Sequence, residues 1–126
     1  MQEFMFFIRK QSNSKETLPA VEHEKFLKAC ESYIGKLKKE GKLISAQPIV
    51  WEGTIVAGRD GAWKDAPFNE SKEVIGGYYH ILANDLNEAI SIAKANPEFA
   101  FNMNTRIEVR PIKMKEESTG FVYPKS

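Results

Sequence analysis

The sequence predicts an α+β fold, one antiparallel sheet with two helices on a single face. Three observations predict it. Apolar residues recur at helical spacing in two separate stretches, 26–37 and 86–93. Four main runs suited to strands, 4–9, 43–50, 74–83 and 106–114, flank those stretches. The resulting order is strand, helix, strand with a hairpin, strand, helix, strand, which packs most economically as a sheet covered on one side.

The first run, 4–9, carries apolar groups on both faces, Phe4/Phe6/Ile8 and Met5/Phe7, as a strand covered on both sides requires. After a polar loop, Thr17 is placed to cap a helix starting near Leu18-Pro19. Phe26, Leu27, Cys30, Tyr33, Ile34 and Leu37 form its apolar stripe, and Glu24 and Lys28 pair on the outer face. Gly35 in mid-helix predicts a close neighbour, and Gly41 ends the helix in the left-handed conformation. Pro48 places the second strand, 43–50, at an edge or a bend.

Residues 54–57 and 62–64 around Asp60-Gly61 read as a hairpin. The charged segment that follows is held extended by Pro67 and leads into the strand 74–83. Gly76-Gly77 in that strand marks a bulge or a close backbone approach. Asp85 caps the second helix with Glu88 three residues on; Leu86, Ala89, Ile90 and Ala93 are its buried face, and Asn96-Pro97 stops it. Phe99, Phe101 and Met103 alternate as in a short extra strand. The last strand divides Ile107, Val109 and Pro111 from Arg106, Glu108, Arg110 and Ile112. A ferredoxin-like βαββαβ arrangement puts the first and third main strands, the two most apolar, at the centre.

With 126 residues the chain is read as one domain, 1–114, with a polar tail, 115–126, whose Phe121-Val122-Tyr123 triplet is apolar enough to hook onto the body or a second subunit. Eighteen basic residues against 17 acidic leave a net charge of +1, and the only basic cluster, Lys36, Lys38 and Lys39, ends a helix where cations are favoured. Direct nucleic-acid binding is therefore not expected. Cys30 is the only cysteine, which excludes an internal disulfide and fits a reducing, cytoplasmic setting. The apolar run at 4–8 is too short for a membrane span or a signal peptide, so no membrane partner is expected. Two helices cover one sheet face only. The other carries Met5, Phe7 and aromatic residues of 74–83, which predicts a homodimer whose sheets face each other; the alternative is coverage by the hairpin and tail.

Residues 65–79 carry a family resemblance. Asp65, Pro67, Phe68, Glu70, Ser71, Lys72, Glu73, Gly76, Gly77, Tyr78 and Tyr79 match the motif of the YciI-like (YCII-related) family, in particular its DGPF branch. Asp85, Glu88 and Ala89 fit that family's second helix, and residues 108–112 its closing strand. Ala66 stands where the motif has glycine and Asn69 where alanine is usual. The resemblance implies a dimeric α+β barrel built from ferredoxin-like protomers. It also implies a His–Asp pair in a cleft for some members, and an association of the DGPF branch with transcription proteins.

The candidate catalytic pair is His23, read as the helix residue aimed at the sheet, with Asp65 as the carboxylate orienting it as a general base. Asp65 equally fits a turn residue accepting backbone N–H groups, and His23 a structural histidine. Glu70, Lys72, Glu73, Tyr78, His80 and Arg110 are candidate ligand-binding residues. Lys72 with Glu73, and Arg110 with Glu108, also read as structural ion pairs. Tyr78 and His80 share a strand face. No cofactor or metal is expected, since His23, Cys30 and His80 lack zinc-ligand spacing and no phosphate-cradling glycine loop is present. Two readings result: a dimeric module that binds a small molecule or serves a transcription-related partner, and a small-molecule enzyme working through His23 and Asp65.

Overall fold

A computed structural model describes residues 1–12, 18–102 and 104–124; the side chain of Glu70 is outside the description. Its elements are β1 (Gln2–Gln11), α1 (Ala20–Lys39), β2 (Leu43–Pro48), β3 (Thr54–Arg59), β4 (Ala62–Pro67), β5 (Glu73–Ala83), α2 (Leu86–Lys94), α3 (Glu98–Phe101) and β6 (Arg106–Pro111). The fold is α+β. Four strands form one antiparallel sheet in the order β2-β5-β1-β6, and β3 and β4 form a separate two-stranded ribbon. The two central strands are thus the first and third main ones, the most apolar runs of the chain.

Cross-strand partners share a face. Phe6 opposes Tyr79 and Val109, and Phe4 opposes Ile81 and Pro111. This side packs under the helices: Phe4, Phe6, Ile8, Tyr79, Ile81 and Ala83 meet Ala89 and Ala93 of α2, with Tyr33 and Ile34 of α1 against them. The opposite face carries Met5, Phe7 and Arg9 of β1, Tyr78, His80 and Leu82 of β5, and Glu108 and Arg110 of β6. Gly76 is the extra residue of a bulge, because Ile8 pairs Gly77 while Arg9 pairs Ile75.

Several boundaries and roles differ from expectation. Helix α1 begins at Ala20 with Pro19 at its cap position and no side-chain cap; Thr17 lies outside the described residues. Leu37 is the stripe's one buried member, whereas Leu27 is 53% exposed, because the stripe's N-terminal half stands off the sheet. A Cβ at Gly35 would meet nothing within 4 Å, so no neighbour requires that glycine. Gly41 does take the left-handed conformation (φ 70°), with its N–H bonded to Lys38 O.

The ribbon is longer than expected. Pro67 keeps Ala66 extended, and the extended backbone simply continues the ladder, so Asp65 and Ala66 pair Val56 and Ile55. Proline is tolerated at Pro67 because it ends an edge strand. Asp85 caps α2 by accepting from Glu88 N–H (2.8 Å), while Glu88 accepts from Asn84 N–H (3.1 Å). Leu86 is exposed, and Ile92 packs on the core instead. The expected strand after Pro97 is the short helix α3. The Asn96 side chain accepts from Glu98 N–H (2.9 Å), and Phe101 turns onto Phe26, ring centroids 5.5 Å apart. Met103 lies outside the described residues. The tail folds on itself through Lys115 and Val122, and Phe121, Val122 and Tyr123 remain exposed.

Candidate functional site

A cavity of about 850 Å³ opens between α1 and the β2–β5 side of the sheet. Its volume is that of a small-molecule site. Phe26, Leu27, Cys30 and Ile34 of α1 form one wall, Ile8 and Tyr79 the floor, and Pro48, Ile49 and Trp51 the rim. These side chains converge because β2 ends at Pro48, and the chain then turns across the cavity's edge with Ile49 N–H bonded to Gly76 O (2.9 Å).

The glycine pair makes the geometry possible. A Cβ on Gly77 would lie 3.1 Å from Gln47 O and 3.3 Å from Pro48 Cα, so glycine lets β2 approach this closely. A Cβ on Gly76 would lie 3.1 Å from Lys10 Cγ; its absence leaves a lane along which the Lys10 stem crosses β5. Lys10 Nζ thereby reaches Glu98 Oε2 at 2.6 Å, and this ion pair is the charged end of the apolar cavity. Glu98 is buried, and its Oε2 also accepts from Asn102 (3.2 Å) and Thr105 (3.5 Å).

Behind the pair stand Cys30, Tyr33 and Tyr79. Burial first, and then the Glu98 charge, push the Cys30 thiol up to about 11, with Lys10 partly offsetting both. Burial likewise pushes Tyr79 to about 12 and Tyr33 higher still. All three are therefore neutral near pH 7. The Tyr33 hydroxyl donates to Ile92 O (2.6 Å) and stacks its ring edge-on to Tyr79 at 5.6 Å. Asn96 Nδ2 is buried without a hydrogen-bond partner among the described residues.

The residues singled out from sequence fall elsewhere. His23 is exposed on α1 and Asp65 is exposed on β4; no hydrogen bond or ion pair joins them among the described residues, and neither lines the cavity. Asp65 is a strand residue rather than a turn acceptor. Glu70 sits in a single 3-10 turn, Phe68–Glu70, and Lys72 is exposed beside it. Glu73 pairs with arginines and not with Lys72: Arg106 Nε donates to it at 2.8 Å and Arg9 Nε at 3.1 Å. Arg9 also reaches Glu108 (2.9 Å), which accepts from Arg110 (3.0 Å), so the open face carries a charge ladder from Arg106 to Arg110. Those arginines hold Glu73 and Glu108 below the ordinary carboxylate value. Tyr78 and His80 do share that face, bonded to Ser45 (3.1 Å) and Glu3 (2.8 Å) respectively. Of the predicted ligand-binding residues whose side chains are described, Tyr78 alone also borders the cavity.

Lys10, Glu98 and Asn102 are the polar residues that sequence reasoning missed. The available signal was Asn96-Pro97-Glu98, an Asx-type helix start that sets an acidic residue in a buried first turn. Among the described residues no group of His, Cys, Asp and Glu side chains gathers to hold a metal ion, and no helix is long and apolar enough to cross a membrane.

Comparison with curated proteins finds no match to this chain. The family model for the YCII-related domain matches residues 3–113, which spans the sheet, α1, α2 and every residue lining the cavity. The chain belongs to the YCII-related domain family.

Proposed function

We propose that this chain is a small-ligand-binding module that works as a homodimer, its ligand seated in the cavity between α1 and the sheet. The observation that carries the reading is the cavity itself: apolar walls sized for a small molecule, with one part-buried ion pair as the only charged feature among the described residues. Cys30 and Tyr79, which line it, are both shifted toward their neutral forms. That favours binding over covalent chemistry at this site.

The ferredoxin-like assignment is supported by the strand order β2-β5-β1-β6, and the DGPF branch by the motif residues at 65–79. Dimerisation is supported by what the chain leaves bare. A hairpin folded over the open sheet face would bury one of its own sides; β3 is exposed along its whole length and β4 everywhere but Ala66. The tail triplet is exposed as well. Met5, Phe7 and Leu82, half-buried within one chain, are the apolar residues that a second copy would cover in a face-to-face pair.

Two measurements test this. Titration with the uncharged dye Nile red is expected to saturate at one dye per chain. Ile34→Trp, which fills the cavity, should abolish that signal, and His23→Ala should leave it unchanged. Equal dye binding by the filled variant would refute the site. Light scattering at micromolar concentration is expected to give twice the chain mass, and Phe7→Asp the mass of one chain; a wild-type protein of single-chain mass would remove the dimer.

A further inference from the structure

The unused atoms of the Lys10–Glu98 pair specify what the cavity accepts, an inference that rests on the binding reading above. All three donors to Glu98, from Lys10, Asn102 and Thr105, converge on Oε2. Among the described residues none donates to Oε1. Lys10 commits one of its three N–H bonds to this carboxylate, and both side chains line the cavity. The polar end therefore offers an acceptor and spare donors side by side, with no net charge. Everything facing it from α1 and β5 (Phe26, Cys30, Ile34, Tyr79) is uncharged.

This arrangement discriminates by charge. A ligand carboxylate is drawn to Lys10 but meets the Glu98 carboxylate; a ligand ammonium is drawn to Glu98 but meets Lys10. Either introduces one uncompensated charge beside a part-buried ion pair, which is unfavourable. An uncharged head with donor and acceptor on neighbouring atoms satisfies both partners and leaves the ion pair intact. We propose that the cavity selects an uncharged molecule with an aromatic-sized apolar body and a carboxamide- or lactam-type head, its N–H donated to Glu98 Oε1 and its carbonyl accepting from Lys10 Nζ.

Calorimetric titration of the full chain with naphthalene-2-carboxamide, 2-naphthoate and 2-naphthylmethylammonium tests this, because the body is constant and only the head changes. The carboxamide is expected to bind at least about tenfold tighter than either ion. Glu98→Gln leaves Lys10 without its counter-charge and should shift preference to naphthoate; Lys10→Met should shift it to the ammonium. Should either variant fail to fold by circular dichroism, the wild-type series decides alone. Three heads of equal affinity, a charged head that wins, or no naphthyl binding while Nile red still binds would each overturn the head-group proposal and leave the binding module standing. Loss of Nile red binding together with all three naphthyl compounds would overturn both.

Discussion

Cys30 shows how far a single side chain is altered by its position. Its thiol, raised from 9.0 to about 11, holds roughly a hundredfold less thiolate at pH 8 than an ordinary cysteine. Labelling by a disulfide reagent should be slowed to a comparable degree, and slowed further by Nile red; a rate equal to that of a free thiol would contradict the packing described. Glu73 and Glu108 give the opposite sign. Their folded values lie below 4.5, so the stability they contribute is present above that pH and is lost as pH falls through their lowered folded values. The thermal midpoint of the wild type should therefore drop more steeply below pH 4.5 than that of a Glu73→Gln/Glu108→Gln double variant; parallel curves would count against the ladder. Parity along a strand made Glu108 and Arg110 readable as neighbours, and Tyr78 and His80 likewise. Lys10 and Glu98 are 88 positions apart, and no local spacing announces a pair that only the fold assembles.

Among the elements, two glycines make opposite predictions. At Gly35 the helix interior is open, so Gly35→Ala should stabilise by about 0.5–1 kcal/mol through helix propensity alone. At Gly77 the added methyl meets backbone atoms of Gln47 and Pro48, which have little room to yield, so Gly77→Ala should cost about 1–3 kcal/mol. Urea unfolding of the two variants checks both signs. Hydrophobic period and capping chemistry made the four main strands, α1 and α2 legible. The failures have physical causes. Alternation of Phe99, Phe101 and Met103 suggests a strand, but the Asn96 side chain holds the Glu98 N–H in a helix start and overrides it. The segment before Pro67 reads as a loop because it is charged, yet an edge ribbon exposed on both sides accepts charge without cost.

At the scale of the whole molecule, core and periphery should respond separately. Phe6 is fully buried, and Phe6→Ala is expected to cost about 3–5 kcal/mol in urea unfolding. Trp63, 60% exposed on the ribbon, should cost under about 0.5 kcal/mol within one chain when changed to Ala. If the ribbon also touches the second copy, Trp63→Ala should raise the dissociation constant measured by light scattering on dilution. An isolated two-stranded ribbon is marginal in water, which makes this arm the element most sensitive to the proposed pairing.

The extra residue at position 76 carries a last consequence. Successive strand residues point to opposite sides, so one inserted residue reverses the sidedness of everything before it. In an uninterrupted ladder Gln11 would stand opposite Val74; instead Lys10 does, and Gln11 meets Glu73. Were residue 76 drawn into a regular ladder instead of bulging, Val74 would turn out to water and Glu73 would lie beneath the helices. That one glycine works as a parity switch, setting which end of β5 is greasy and which is ionic.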